Sequence, residues 1–137
     1  MPIYTCTATA STLTSDTKAA LATEIGAIHS EINHVPSSYV TVVFNELPHD
    51  SVYSGGTPAS LVLVSAWVRE GHPDEDTTRL ATEIAAAVTR IAGVPAEQVT
   101  VVIQPGPARF AVEYGRLLPE PGHEDAWIDQ SHTPTRT

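Results

Sequence analysis

Apolar positions recur along the first third of the chain with two different periods. Ala22, Ile25, His29 and Ile32 fall on one face at helical spacing, so the stretch from Thr14, a candidate N-cap, to about Asn33 reads as a helix. β-prone runs flank it, Ile3–Thr9 before and the valine-rich Ser38–Glu46 after. The same succession then returns. Leu61–Arg69 reads as a strand, Pro73 with Asp74, Glu75 and Asp76 opens a second helix, and Gln98–Gln104 reads as a strand. Acidic residues suit the positive end of a helix dipole, and the cluster is read as helix initiation rather than as a metal site. Val35-Pro36 and Gly93-Val94-Pro95 close the two helices, because a residue before proline avoids the helical region.

The second unit copies the first at an offset of 59 residues. Leu21-Ala22-Thr23-Glu24-Ile25 recurs as Leu80-Ala81-Thr82-Glu83-Ile84, Val35-Pro36 as Val94-Pro95, and Val40-Thr41-Val42-Val43 as Val99-Thr100-Val101-Val102. One register held through a helix, a turn and a strand indicates a single structural unit used twice. Parallel strands joined through a helix form a right-handed crossover. Two such units, at about 2–46 and 61–104, predict an α+β fold: two layers, a four-stranded mixed sheet with two helices on one face. The other face of that sheet would stay apolar unless covered, which predicts self-association. Leu47–Ser60 and Pro105–Ala111 are expected to supply hairpins or edge strands. One domain is expected over residues 1–127, with an arm or frayed tail from Pro119 onward and a C-terminal tail at 128–137.

Composition narrows the functions. With 137 residues, 42% hydrophobic and 17% charged, the chain is an ordinary globular domain. Its net charge of -9 argues against nucleic acid or an anionic membrane as partner, and means that any anionic substrate needs a local cationic pocket. No apolar run is long enough to span a bilayer and no signal-peptide pattern opens the chain, so a cytoplasmic protein is expected. The single cysteine, Cys6, forms no intrachain disulfide and lies among β-type residues, as a packed side chain would.

Candidate chemistry begins at Met1-Pro2. Removal of the methionine would leave Pro2 as a secondary amine, and α-amino groups titrate at about 7.7–8.0 when unperturbed. Burial or a nearby cation would favour a general base, a nearby carboxylate a general acid. His29 lies on the inward face of the first helix where the second has Val88; it is either a hydrogen-bonded core histidine or a functional group. Arg69 ends a strand before Glu70-Gly71-His72-Pro73, where it could bind a carboxylate through paired hydrogen bonds or be solvated, and His72 could add a titratable donor. Glu113 could orient water or tune an amine, or pair with Arg116. His34, His49, His123 and His132 show no metal-ligand spacing. Ser54-Gly55-Gly56-Thr57 lacks the lysine of a phosphate loop, and no Gly-x-Ser-x-Gly elbow occurs, so acid–base chemistry without cofactor or metal is what remains.

The Met1-Pro2 start, the two β-α-β units, the inward His29, Arg69 after the third main strand and the run Glu113-Tyr114-Gly115-Arg116-Leu117-Leu118 together resemble the tautomerase superfamily. Within it the chain is most similar to the cis-3-chloroacrylic acid dehalogenase group. The resemblance extends from Met1 to about Trp127 and includes Phe44-Asn45-Glu46 and Glu120-Pro121-Gly122. It implies a tautomerase fold of the macrophage migration inhibitory factor type, a homotrimer, and catalysis by a processed Pro2 without cofactor. It further implies that His29 and Arg69 bind a small carboxylate substrate and that Glu113 positions or activates water. Two positions depart from the group: His72 stands where the dehalogenases carry a second arginine, and Val102 where they carry a water-assisting tyrosine. Hydration asks for a cationic proline and two water-handling groups, whereas keto–enol exchange asks for a neutral amine beside an anchored 2-oxo acid. The departures favour a phenylpyruvate-type tautomerase with slow dehalogenase or hydratase activity. A hydrolytic dehalogenase or acetylenic-acid hydratase is the alternative, and a non-catalytic trimeric binding protein a third possibility.

Overall fold

The computed structural model describes residues 1–131. His132 and Thr133-Pro134-Thr135, part of the expected tail, lie outside the described residues.

The chain forms β1 (Ile3–Thr9), α1 (Ser15–Asn33), β2 (Thr41–Leu47), the two-residue strands β3 (Tyr53–Ser54) and β4 (Thr57–Pro58), β5 (Val62–Arg69), α2 (Asp74–Ala92), β6 (Val99–Gly106), the two-residue strands β7 (Val112–Glu113) and β8 (Arg116–Leu117), and α3 (Glu124–Ser131). Thr14 caps α1, its side chain accepting from the Thr17 backbone N–H at 3.1 Å, and His34 ends it in the left-handed conformation. Pro73 stands just outside α2 rather than in its first turn, and Gly93 closes that helix at φ 68°. The second strand begins later than the sequence suggests, because Ser37–Tyr39 forms a 3-10 turn after Pro36.

The main sheet has the order β2-β1-β5-β6. β1 runs parallel to β2 and β5 to β6, and the two inner strands are antiparallel. Tyr4, Cys6 and Ala8 of β1 and Val62, Val64, Ala66 and Val68 of β5 face the helices, where they meet Leu21, Ile25, Ile28 and Ile32 of α1 and Leu80, Ile84, Ala87 and Val88 of α2. Cys6 is buried in this core, and burial pushes its thiol up to about 11, as expected of a packed side chain. On the other face Ile3, Val43 and Val102 remain 45%, 42% and 42% exposed.

The duplication holds at the quoted offset for the helices and outer strands, but the inner strands shift by one residue. The ladders place Tyr4 in the first unit where Val64 stands in the second, with one residue fewer between strand and helix in the second unit. Tyr4 and His29 of one half therefore occupy the places of Val64 and Val88 in the other.

Two expectations change. Pro105–Ala111 yields only the end of β6 and a 3-10 turn at Ala108–Phe110; the hairpin follows it, as β7 and β8. The stretch after Pro119 is a packed element rather than a surface arm, since α3 continues across residue 128 and buries Trp127. Its eight residues are too few to be helical alone. Docking holds it: Trp127 Nε1 donates to the Leu117 carbonyl at 2.9 Å, and Arg116 donates to the Trp127 carbonyl at 2.7 Å while its guanidinium lies 4.4 Å above the indole. Among the described residues no helix is long and apolar enough to cross a membrane.

Candidate active site

β1 is an inner strand, so its first residues are pinned on both sides. The Pro2 carbonyl accepts from the Thr41 N–H at 3.2 Å, and both Met1 and Pro2 are buried. Met1 is 1% exposed, with its side chain among Val35, Ala108, Leu118 and Trp127. Its amino group donates to the Tyr39 carbonyl and lies 3.3 Å from Glu113 Oε1. With Met1 in place the Pro2 nitrogen is an amide. Because a peptide bond spans about 1.33 Å, the volume Met1 fills is the volume that adjoins that nitrogen.

Glu113 reaches the chain start by way of a tight hairpin. β7 and β8 are joined by Tyr114 and Gly115, both at positive φ (55° and 73°), which is the two-residue turn whose twist matches antiparallel strands. Arg116 turns toward Trp127 and Gln130 Oε1, so the Glu113–Arg116 pairing considered from sequence is replaced by Glu113 with the terminal amine. An open recess of about 270 Å³, lined by Ser38, Tyr39, Thr41, Glu113 and Tyr114, leads to this point.

Arg69 comes from the other inner strand. β1 and β5 pair with Ile3 opposite Trp67, and continuing that register brings Met1 opposite Arg69. Its guanidinium is not solvated: the residue is 5% exposed, Nη1 donates to the Pro119 carbonyl at 2.6 Å, and Nη2 donates to Glu124 Oε1 at 2.7 Å. Glu124 also accepts from the Gly122 N–H, at 2.9 and 3.1 Å to its two oxygens.

The local field follows from this burial. Burial lowers the amine of Met1 below its ordinary 8.0, Glu113 counteracting by charge and hydrogen bond and Arg69 adding to the drop. His29, 3% exposed, shares a 2.7 Å hydrogen bond with the Tyr4 hydroxyl through Nδ1. Its pKa falls to about 3, first from burial and then from the nearby amine, His72 and Arg69, so the ring is neutral at physiological pH. The Tyr4 hydroxyl is pushed up by burial. His72 is half-buried and lowered by burial and by Arg69, against the pull of Asp76 and Glu124. For Glu124, burial pushes the carboxyl up, but the hydrogen bond from Arg69, the backbone hydrogen bonds and the arginine charge outweigh it and leave the pKa below the ordinary value.

Met1-Pro2, His29, Arg69, His72 and Glu113 are thus gathered at one end of the sheet, close enough to shift one another's titration or to be hydrogen-bonded. Val102 lies on the uncovered sheet face. Sequence reasoning missed Tyr4, Tyr39, Trp127 and Glu124. Tyr4 is concealed as one residue of a β-prone run, and the last two sit in an eight-residue helix whose only apolar residues are the consecutive Ala126, Trp127 and Ile128. Among the described residues no group of three His, Cys, Asp or Glu side chains is arranged to hold a metal ion.

Comparison with known proteins identifies the family and the fold. The family model described as "Putative oxalocrotonate tautomerase enzyme" matches residues 1–132. No curated protein matches the chain. Among solved structures, N1, a member of the cis-3-chloroacrylic acid dehalogenase family, is 30% identical over 96% of this chain and 92% of its own, with a TM-score of 0.90. Native Ps01740 is 29% identical over 81% of this chain and 99% of its own, with a TM-score of 0.79. The F6 fused 4-OT wild-type asymmetric trimer shares the fold at 18% identity over 84% of this chain and 94% of its own, with a TM-score of 0.78. A full-length family match and a near-superimposable relative together place this chain in the tautomerase superfamily, in its cis-3-chloroacrylic acid dehalogenase-like group.

Proposed function

We propose that the chain is a cofactor-independent tautomerase that interconverts the keto and enol forms of phenylpyruvate-like 2-oxo acids, with Pro2, freed of Met1, as general base. Membership of the tautomerase superfamily makes a tautomerase-fold enzyme the frame for this reading. The observation that carries the reading is the seating of the chain start: a buried amine beside Glu113 and Arg69, against an apolar wall that includes Trp127.

The burial that lowers the Met1 amine belongs to the setting into which a freed Pro2 nitrogen would be placed, and a neutral secondary amine is a competent base. In ketonisation Pro2 takes the enol hydroxyl proton and the same nitrogen returns a proton to the adjacent carbon, so no proton is gained or lost. Arg69 and His72 hold the substrate carboxylate. His29, neutral and fixed at Nδ1 by Tyr4, offers Nε2–H as a donor when Tyr4 is the donor in their shared bond. The hollow filled by the methionine side chain suits an aryl or alkyl substituent better than a small haloacrylate.

Slow hydration of 3-haloacrylates belongs to the same proposal, with Glu113 accepting a proton from water as oxygen adds to C3 and a protonated Pro2 supplying C2. A hydratase as the principal activity is the second reading, favoured by the Glu113 carboxylate 3.3 Å from the terminal amine, which raises that amine's pKa against the effect of burial. A homotrimer is proposed too, supported by the uncovered sheet face and by the trimeric fused 4-OT of the same fold.

The test is Pro2→Ala in the processed protein, verified by intact mass. A loss of about 10²–10⁴ in ketonisation rate is expected; an unchanged rate refutes the base assignment. Titration of the Pro2 nitrogen by NMR separates the readings, a pKa below neutrality fitting the tautomerase and one well above it the hydratase.

A further inference from the structure

We propose that Glu124 is a specificity-determining residue: it acts as an internal carboxylate ligand of Arg69, which an incoming substrate carboxylate must displace. The inference rests on the reading of Arg69 as the anion-binding group.

The geometry is that of a bound carboxylate. Glu124 Oε1 sits 2.7 Å from Arg69 Nη2, on a guanidinium whose Nη1 is already committed to the Pro119 carbonyl at 2.6 Å. The side chains are 4% and 15% exposed, so the pair is shielded from solvent and salt. An external carboxylate that approaches Arg69 end-on, across Nη1 and Nη2, meets a donor on each nitrogen already committed to these two acceptors.

Charge gives the same answer independently. Arg69 and Glu124 cancel, Glu113 faces the amine at the chain start 3.3 Å away, and His29 is neutral. Against an overall charge of -9, a site so composed attracts no anion until Glu124 lets go. Both acceptors on Arg69 come from one short segment, Pro119 to the first residue of α3, which is held from below by Trp127 and Arg116 rather than by its own helical strength. Glu124 therefore sets how much substrate carboxylate the site retains, and biases it toward ligands whose apolar part adds binding energy in the Met1 hollow.

A ligand that binds only the open fraction of molecules shows an affinity reduced by that fraction. Glu124→Gln keeps an acceptor for the Gly122 N–H but removes the charge. In the processed full chain, titration with benzoate, followed by NMR, should give a dissociation constant about tenfold lower for Glu124→Gln than for the wild type, with benzamide unchanged. Glu124→Asp, which keeps the charge on a shorter arm, should fall between them. Equal or weaker benzoate binding by Glu124→Gln, with native circular dichroism retained, would show that Glu124 merely positions Arg69 and would overturn the proposal. Because benzoate does not react, the result is independent of Pro2: a wild type inactive in ketonisation but tightened by Glu124→Gln sinks the tautomerase reading alone. Absence of benzoate binding by both proteins sinks the anion site and this proposal with it.

Discussion

Replacing Tyr4 by Phe and His29 by Val together should flatten the acid side of the stability curve. His29 has an ordinary pKa of 6.5 when unfolded and about 3 in the fold, because the buried ring resists the charge. Between those values the unfolded chain binds one proton more than the native one, so stability is complete above pH 6.5 and declines as pH falls toward 3. The slope is about 1.4 kcal/mol per pH unit, and integration gives roughly 2 kcal/mol lost between pH 7 and pH 5. That figure is insensitive to the lower pKa, since any native value below about 4 leaves the ring uncharged at pH 5. Removing both partners of the Tyr4–His29 bond leaves no unsatisfied hydroxyl, and Phe and Val are residues this core already accepts in kind, as Val88 shows. Urea unfolding of both proteins at pH 7 and pH 5, at one protein concentration, isolates the histidine, because the Tyr4 hydroxyl, raised by burial, does not ionise in that range and the other titrating groups are common to them. A wild-type loss exceeding that of the double variant by about 2 kcal/mol is expected. Parallel declines would refute the reasoning and mean that His29 takes up its proton in the folded protein.

Three other outcomes are expected. Gly106→Ala would place a methyl group 2.3 Å from Trp67 Nε1, in a strand end where Gly106 pairs with Arg69, so a loss of about 1–3 kcal/mol in chemical denaturation and a changed Trp67 environment should follow. Trp127→Ala removes the anchor of α3 and should cost about 3–5 kcal/mol if the helix unfolds with the rest; hydrogen exchange in residues 124–131 should accelerate far more than in α1, and equal acceleration would contradict a docked helix. Glu113→Gln should slow haloacrylate hydration by about 10²–10⁴ and ketonisation much less, the reverse pattern assigning Glu113 to proton transfer in the tautomerase reaction.

Most of the architecture was legible because it rests on local periodicity repeated in register. Leu21 and Ile25 recur as Leu80 and Ile84 and are buried in both units, so pattern and packing report the same fact twice. Thr14 and Gly93 mark helix ends through chemistry that acts within one turn. The gathering of Pro2, His29, Arg69 and Glu113 was legible only through the family's ordered motifs, because their partners lie dozens of residues apart and no spacing rule connects Met1 with Glu113. What escaped is contact that only the folded chain creates. Arg69 reads as a strand-end cation until Glu124 and Pro119 close over it, and a Trp in an eight-residue helix carries too little pattern to announce that it is docked. Tyr4 is one of several alternating strand residues, and nothing in the sequence singles out its hydroxyl as the partner of a ring on α1.

The correspondence of Tyr4 and His29 with Val64 and Val88 divides labour inside one polypeptide. At these two positions the second half is aliphatic, and Val64 and Val88 tolerate acid and need no particular tautomer. The first half, fused to it, is released from having to be stable by itself and can keep a costly polar pair where a lone unit would have been selected for grease. Duplication here functions as insurance for that one polar pair, in a sheet whose two halves are otherwise near twins.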